Sequence, residues 1–404
     1  MIPSALLLLA LLLPGPVRAQ DGTGADSARV DSAGAAPAPV DSAYTMRGYD
    51  PRIQRGIDLI YDLHYDEAEA FFTEVIRADP DNPLGYFFRA MVGWWRVLID
   101  LDDRSHDEAF YAHLQECIDV CDRRLKEDPD NFDAILFKGG AIGFRGRLRG
   151  DRNQYLRAAN DGRRCLPLLA QSRRLEPSNK DILFGQGIYN YFAEVVPKKH
   201  PVVRPVMWLL PDGDRELGIR QLEEVAAEGL YARTEAAYFL AQIYRIFEDD
   251  DARALPYLEE LHARYPRNAL FHRYLARTLA AAGRNRRSEA LYAEIARRAD
   301  EGRTGYHARA RLEALYYLGK HRFRLNDAAG AEIYLLQADE LGRDIESDRG
   351  YTALSNLLLG MCYDRMGQRP QALERYARTR RLPDANGSRD LARKYEDAPY
   401  PPGR

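Results

Sequence analysis

The chain has 404 residues, enough for two or three ordinary domains or one long solenoid. Its 58 basic and 61 acidic side chains leave a net charge of −3, which argues against a general nucleic-acid binder. Only seven of the basic residues are lysine, an imbalance that high-GC coding accounts for.

The N-terminus reads as an export signal. Ala5 to Leu13 is a short apolar run, followed by Pro14-Gly15-Pro16 and by Val17-Arg18-Ala19, a cleavage pattern that places the cut after Ala19. No Lys or Arg precedes the run, so the terminal amine is its only positive charge. The run falls short of the ~20 apolar residues a membrane span needs. We therefore expect a signal peptide over 1–19 and a periplasmic or extracellular protein that is not integral to a membrane. Residues 20–47, rich in Ala, Asp, Ser, Gly and Pro, cannot bury enough apolar surface to order themselves, so a disordered tether is expected there.

From residue 48 to 397 apolar residues recur at helical spacing, and no stretch alternates as a strand does. The expected fold class is all-α. The clearest unit runs from Gly56 to Asn82: Ile57, Leu59, Ile60 and Leu63 line one helix, and Phe71, Phe72, Val75 and Ile76 a second opening at Tyr65-Asp66-Glu67-Ala68. It closes on Asp79-Pro80-Asp81-Asn82. The proline cannot continue a helix, and the Asp/Asn pair offers a cap to the next one. The same closure recurs as Asp128-Pro129-Asp130-Asn131, Glu176-Pro177-Ser178-Asn179 and Tyr265-Pro266-Arg267-Asn268, an internal period of one helical hairpin. Eight hairpins are expected, at about 49–82, 83–131, 132–179, 180–230, 233–268, 269–302, 305–343 and 350–383. The second to fourth are oversized, with extra segments Leu98–Ser105, Arg145–Asn153 and Val195–Asp212. A closing helix near Ser388–Tyr395 precedes a Pro-rich tail, 398–404.

With Gly56 midway in a first helix, Ala68 early in the second and Pro80 twelve residues later, the chain resembles the tetratricopeptide repeat family. Leu359-Gly360, Tyr363, Gly367, Ala372 and Tyr376 match it almost as well, as do Leu318-Gly319 with Ala331 and Ala338, and Leu275-Ala276 with Gly283 and Ala290. The resemblance implies a right-handed α-solenoid. A narrower likeness, through Tyr189-Asn190-Tyr191-Phe192, Pro197, Trp208–Pro211 and Gly213–Gly218, is to the tetratricopeptide repeat protein 39 family. It implies the fold and no chemistry.

The family register implies which positions line the concave face. Early repeats would present Ile57, Ile60, Tyr61, Phe87, Met91, Trp94, Trp95, Phe144, Phe184, Tyr191 and Phe192; later ones turn basic, with Arg245, Arg273, Arg277, Lys320, Arg324 and Arg365. One reading is a protein or peptide partner, its apolar side chains docked early and its carboxylates held by the arginines. The other is that the aromatics are core and the basic residues a solvated face with local partners. The insertion Pro197-Lys198-Lys199-His200-Pro201, followed by the apolar run to Leu210, pairs basic with apolar residues. It reads either as peripheral membrane contact by an envelope assembly factor or as a loop folded over the groove.

No catalytic signature appears: no His-Glu-x-x-His, no Gly-x-Ser-x-Gly and no phosphate-cradling glycine loop. A non-enzymatic scaffold without cofactor or metal is expected. Gly139, Gly140 and Gly143 fall inside a helix, where small residues allow close packing. Asp100, Asp102, Asp103 and Asp107 form an acidic loop without EF-hand spacing. Cys117 and Cys121 share a helix face with His113, as a metal or redox site or as core thiols; a disulfide from either to Cys165 stays open.

Overall fold

The computed structural model describes residues 51–199, 212–345 and 349–401. The expected signal peptide and tether, and the apolar part of the insertion at 200–211, lie outside the described residues. Seventeen α-helices and no strand are found among them. The chain divides into two compact units, with the boundary after Phe247.

In the first unit the helices are α1 (Pro51–Tyr61), α2 (Tyr65–Ala78), α3 (Pro83–Ile99), α4 (Asp107–Glu127), α5 (Phe132–Asp151), α6 (Tyr155–Leu175), α7 (Ile182–Lys199), α8 (Arg215–Glu228) and α9 (Arg233–Gln242). A π-helical turn, Ile243–Phe247, continues α9. The second unit holds α10 (Asp251–Arg264), α11 (Ala269–Ala281), α12 (Asn285–Asp300), α13 (Ala308–Arg324), α14 (Ala328–Leu341), α15 (Arg349–Arg365), α16 (Arg369–Arg381) and α17 (Ser388–Asp397). Helices adjacent in sequence pack on one another within each unit, as in α1 on α2, α5 on α6 and α13 on α14.

The recurrent Pro-x-Asn closure does its work through the asparagine. Asn82, Asn131, Asn179 and Asn268 each accept a backbone N–H of the next helix start, from Leu84 at 3.1 Å, Ala134 at 3.0 Å, Asp181 at 3.0 Å and Leu270 at 3.0 Å. That satisfies a donor the helix cannot use internally. The turn inside a hairpin needs a left-handed residue, supplied by Gly283 (φ 72°) and Gly367 (φ 72°) but also by Asn326 (φ 62°) and Leu63 (φ 62°).

Within a hairpin, a glycine of the first helix receives a large side chain of the second. A Cβ on Gly56 would lie 2.5 Å from Phe71 Cδ1, and one on Gly319 2.6 Å from Leu335 Cγ; Gly360 sits in the same way against the Tyr376 ring. Ala68, Ala331 and Ala372 are wholly buried on the facing helices.

The extra length of the middle hairpins is partly helix. Residues 145–151, expected as an added segment, extend α5, and Arg145 and Arg147 are buried there. Arg145 and Arg149 reach the wholly buried Asp161 on α6. The acidic loop before α4 is closed from within the chain. Arg152 binds Asp107 through Nε (2.6 Å) and Nη2 (2.8 Å) and donates to the Leu101 carbonyl at 2.5 Å.

Candidate functional site

The residues that gather in the first unit surround a cavity of about 260 Å³. Its walls come from α1 (Ile57, Ile60, Tyr61), α3 (Phe87, Met91, Trp95), α5 (Phe137, Phe144), α6 (Leu166, Leu169), α7 (Phe184, Ile188), α9 (Phe239) and the loop before it (Tyr231). The first helices α1, α3 and α5 of successive hairpins lie side by side, so one face of each contributes to a common wall. α5 makes the room. Gly139, Gly140 and Gly143 lie on its cavity side, but only Gly140 is closely packed, with a Cβ position 2.9 Å from Phe87. At Gly143 the only atom near a Cβ would be Cys165 Sγ, at 4.0 Å. Close helix packing is therefore not the reason for that glycine, and the sequence expectation is corrected there.

One charged pair is built into this apolar wall. Arg147 is clamped between the rings of Trp94 and Phe239, its guanidinium carbon 4.6 and 4.8 Å from their centroids. Its Nη1 lies 3.9 Å from Glu235 Oε1, and Tyr61 donates to Glu235 Oε2 at 3.2 Å. Both charged residues are over nine-tenths buried. Arg147 Nε and Nη1 and Glu235 Oε1 have no hydrogen-bond partner among the described residues. Burial pushes the Glu235 carboxyl up to about 7, against the pull of Arg147 and the Tyr61 hydroxyl.

Asp181 sets where Glu235 stands. From the start of α7 its carboxylate accepts the backbone N–H groups of Leu230 (3.0 Å), Tyr231 (3.1 Å) and Ala232 (3.0 Å), fixing the loop that opens α9.

The sequence-predicted aromatic residues divide. Phe87, Met91, Trp95 and Phe184 line the cavity, with Ile57, Ile60, Tyr61 and Phe144. Trp94, Tyr191 and Phe192 do not. Trp94 turns toward Phe110 and Phe144, with centroids at 5.7 and 5.5 Å. Tyr191 and Phe192 pack on Phe247 at 6.1 and 5.3 Å. All three are wholly or almost wholly buried because α3 and α7 carry aromatics around more than one face and only one face meets the cavity.

The sequence missed Arg147 and Glu235. Arg147 fell in a segment read as an insertion, and Glu235 has no neighbour in sequence that marks it. The sole available signal was a charged residue on the apolar side of its helix.

Of the predicted basic residues, Arg273, Arg277, Lys320, Arg324 and Arg365 are each engaged by a neighbour of their own. Arg273 and Arg277 both bind Glu313, with Nη2–Oε2 distances of 2.8 and 2.6 Å, and Tyr292 donates to Glu313 Oε1 at 3.1 Å. Burial would raise the Glu313 carboxyl, yet Arg277 and Arg273 outweigh it and hold it at about 2. The anion expected in this clamp is thus one of the chain's own carboxylates. Arg365 stacks on Phe323, 3.7 Å from the centroid, and donates to its carbonyl at 2.8 Å. Arg324 is exposed and donates to Asn285 Oδ1 at 2.9 Å; Lys320 lies 5.9 Å over Tyr316. Arg245, half-buried on the π turn, belongs to the first unit.

Cys117, Cys121 and Cys362 are buried free thiols, and Cys165 is a half-buried one on the cavity wall. Cys117 donates to the Pro83 carbonyl at 3.8 Å and Cys165 to that of Gly139 at 3.3 Å. Among the described residues no group of three or more His, Cys, Asp or Glu could hold a metal ion, and no helix is long and apolar enough to cross a membrane. In the insertion, Lys198 pairs with Glu194 at 2.6 Å and Lys199 donates to the Phe247 carbonyl at 2.8 Å.

No family model matches the chain, and no curated protein does. Among solved structures it is similar to a human IFIT1 dimer with PPP-AAAA, at 16% identity over 78% of this chain and 68% of that one, with a TM-score of 0.36. It is also similar to a tetratricopeptide repeat protein from Parabacteroides merdae (14% identity, 75% and 96%, TM-score 0.31). A third is the P58(IPK) TPR domain (14%, 85% and 96%, TM-score 0.26). With a small residue of one helix under a large residue of the next at Gly56, Gly319 and Gly360, and an asparagine cap at hairpin closures, the described residues form an all-α stack of helical hairpins.

Proposed function

We propose that this chain is a non-enzymatic binding scaffold of the cell envelope that seats an apolar segment of a partner polypeptide in the cavity of its first unit. The observation that carries this reading is the cavity itself: a nearly continuous apolar wall drawn from six helices, about 260 Å³ in volume and not filled by the chain's own described side chains. Apolar surface left accessible in this way favours an apolar ligand, because burying it releases about 25 cal/mol per Å². The envelope setting rests on the signal peptide expected from the sequence at 1–19. The arginines of the second unit are left out of the binding reading where Glu313 already neutralises them.

The test is to pan a phage-displayed random peptide library against the purified protein and against its Gly143→Leu variant, whose new side chain would occupy cavity space. Enriched peptides should be rich in apolar and aromatic residues and should bind the variant at least about tenfold more weakly, a difference of about 1.4 kcal/mol. Peptides that bind both proteins equally would place the binding surface elsewhere.

A further inference from the structure

Residues 398–401 lie against the last helices of the second unit, and one side chain of theirs enters a slot there. Tyr400 is half-buried, while Ala398, Pro399 and Pro401 stay exposed. The Tyr400 backbone N–H donates to Asp364 Oδ2 at 2.7 Å. Its ring meets Tyr395 of α17 edge-on at 5.1 Å and Phe323 of α13 at 5.6 Å, with the Arg365 guanidinium carbon 5.2 Å from its centroid. The slot is held together by the helices and not by this segment. Asp364, with a side chain 1% exposed, is set by the Tyr376 hydroxyl at 2.8 Å and by Arg369 at 3.0 Å. Arg369 also donates to the carbonyls of Tyr395 (2.8 Å) and Glu396 (2.6 Å), which ties α17 to α16. Arg365 is stacked on Phe323, 3.7 Å from the centroid. An acceptor, a cationic face and two rings thus converge on one aromatic residue.

We propose that this slot is a recognition site for a tyrosine flanked by prolines in a partner polypeptide, and that residues 398–401 occupy it in cis until such a segment displaces them. The chain's own segment shows the chemistry that fits. The tyrosine ring gains the guanidinium face and the edge contacts of two rings. The flanking prolines carry no N–H, so the tyrosine amide is the one donor of the triplet and meets Asp364 in a single register. They also keep the backbone extended, which lowers the entropy lost on docking. The cis hold is small, one backbone hydrogen bond and one ring. It is kept by attachment, which gives a short tether an effective concentration of about 1 mM, and a partner that contacts more of the surface can overcome it. The slot belongs to the second unit, and this proposal does not depend on the reading of the cavity in the first.

The experiment is fluorescence anisotropy with a labelled peptide, Ala-Pro-Tyr-Pro-Pro with blocked ends, titrated with the full native chain and with full-length Tyr400→Ala, whose slot is empty. Tyr400→Ala should bind the peptide with a Kd of about 0.1 mM or lower. The native chain should bind it about tenfold more weakly, because a cis competitor at about 1 mM fills a site of that Kd about ten times in eleven. A peptide with alanine in place of its tyrosine should bind neither chain. In the native chain, excess peptide should raise deuterium uptake at the Tyr400 amide, a readout that stands even where Tyr400→Ala does not fold. No binding to folded Tyr400→Ala up to about 1 mM peptide, equal binding of the tyrosine and alanine peptides, or unchanged uptake at the Tyr400 amide would each overturn the proposal. A dimer of the native chain that Tyr400→Ala abolishes would give the slot to a second copy of this chain and overturn the partner reading as well.

Discussion

Replacing Gly143 tests whether the cavity is open space in solution. The residue lies in the interior of α5, where glycine costs about 1 kcal/mol relative to alanine. A Cβ there meets only Cys165 Sγ at 4.0 Å, an ordinary contact, so no steric cost offsets the gain. Gly143→Ala should therefore raise stability by about 1 kcal/mol. Gly143→Leu gains nearly the same helix propensity and also buries apolar area against the cavity wall. Full burial of a leucine is worth about 1.5–3 kcal/mol; since the site stays partly open, a total gain of about 2 kcal/mol is expected. Gly140 supplies the control three residues away. Its Cβ position lies 2.9 Å from Phe87 Cε2, so Gly140→Ala should show no gain. All three tryptophans lie between residues 94 and 208, so urea unfolding followed by tryptophan fluorescence reports on the first unit. If Gly143→Ala and Gly143→Leu both lose 1 kcal/mol or more, the space is filled by something the reasoning omits, and the cavity argument fails.

Three further outcomes follow from the buried charges and caps. Glu235 titrates near 7 when folded and near 4.5 when unfolded, so its contribution is fully present below about 4.5 and is lost as pH rises through about 7. That interval corresponds to about 3 kcal/mol. Asp151, which burial also pushes up to about 7, keeps a slope in the wild type, so the quantity to measure is the difference from Glu235→Gln between pH 5 and pH 8; parallel curves would refute the assignment. Glu313 is the opposite case: held at about 2, it stabilises above about 4.5 and that contribution disappears as pH falls toward 2. Glu313→Gln leaves the half-buried Arg273 and Arg277 without their carboxylate and should cost about 3 kcal/mol, read by circular dichroism during urea unfolding; a loss under 1 kcal/mol would show the pairing to be dispensable. Asn268, wholly buried, accepts from both Leu270 and Phe271, so Asn268→Ala should cost about 2 kcal/mol, the upper end for a cap, and more than Asn82→Ala, which loses one acceptor contact.

Helix, turn and repeat were legible because they are local. Apolar spacing at 3.6 residues decides which segments are helices, and a proline followed by asparagine decides where one hairpin closes and the next is capped; Asn82, Asn131 and Asn268 needed no tertiary information to be placed. Glycine under a large side chain at Gly56 and Gly360 was legible for the same reason, since both partners lie within one hairpin. Which aromatic faces the cavity was not. Trp94 and Trp95 are neighbours in sequence, and one helical step of about 100° sends the first to Phe110 and the second to the cavity. The basic residues deceived in the same way: Arg273 and Arg277 read as a clamp, and they are one, but the carboxylate they hold is Glu313, 36 residues beyond the second of them. The Arg147–Glu235 pair, 88 residues apart in the chain, exists only because Asp181 fixes the loop opening α9 and two rings pin the guanidinium. The sequence by itself determined the hairpins, their caps and their small-residue contacts. Tertiary structure alone decided which charges neutralise each other and which pair is left facing an apolar cavity, because that depends on long-range packing and not on local spacing.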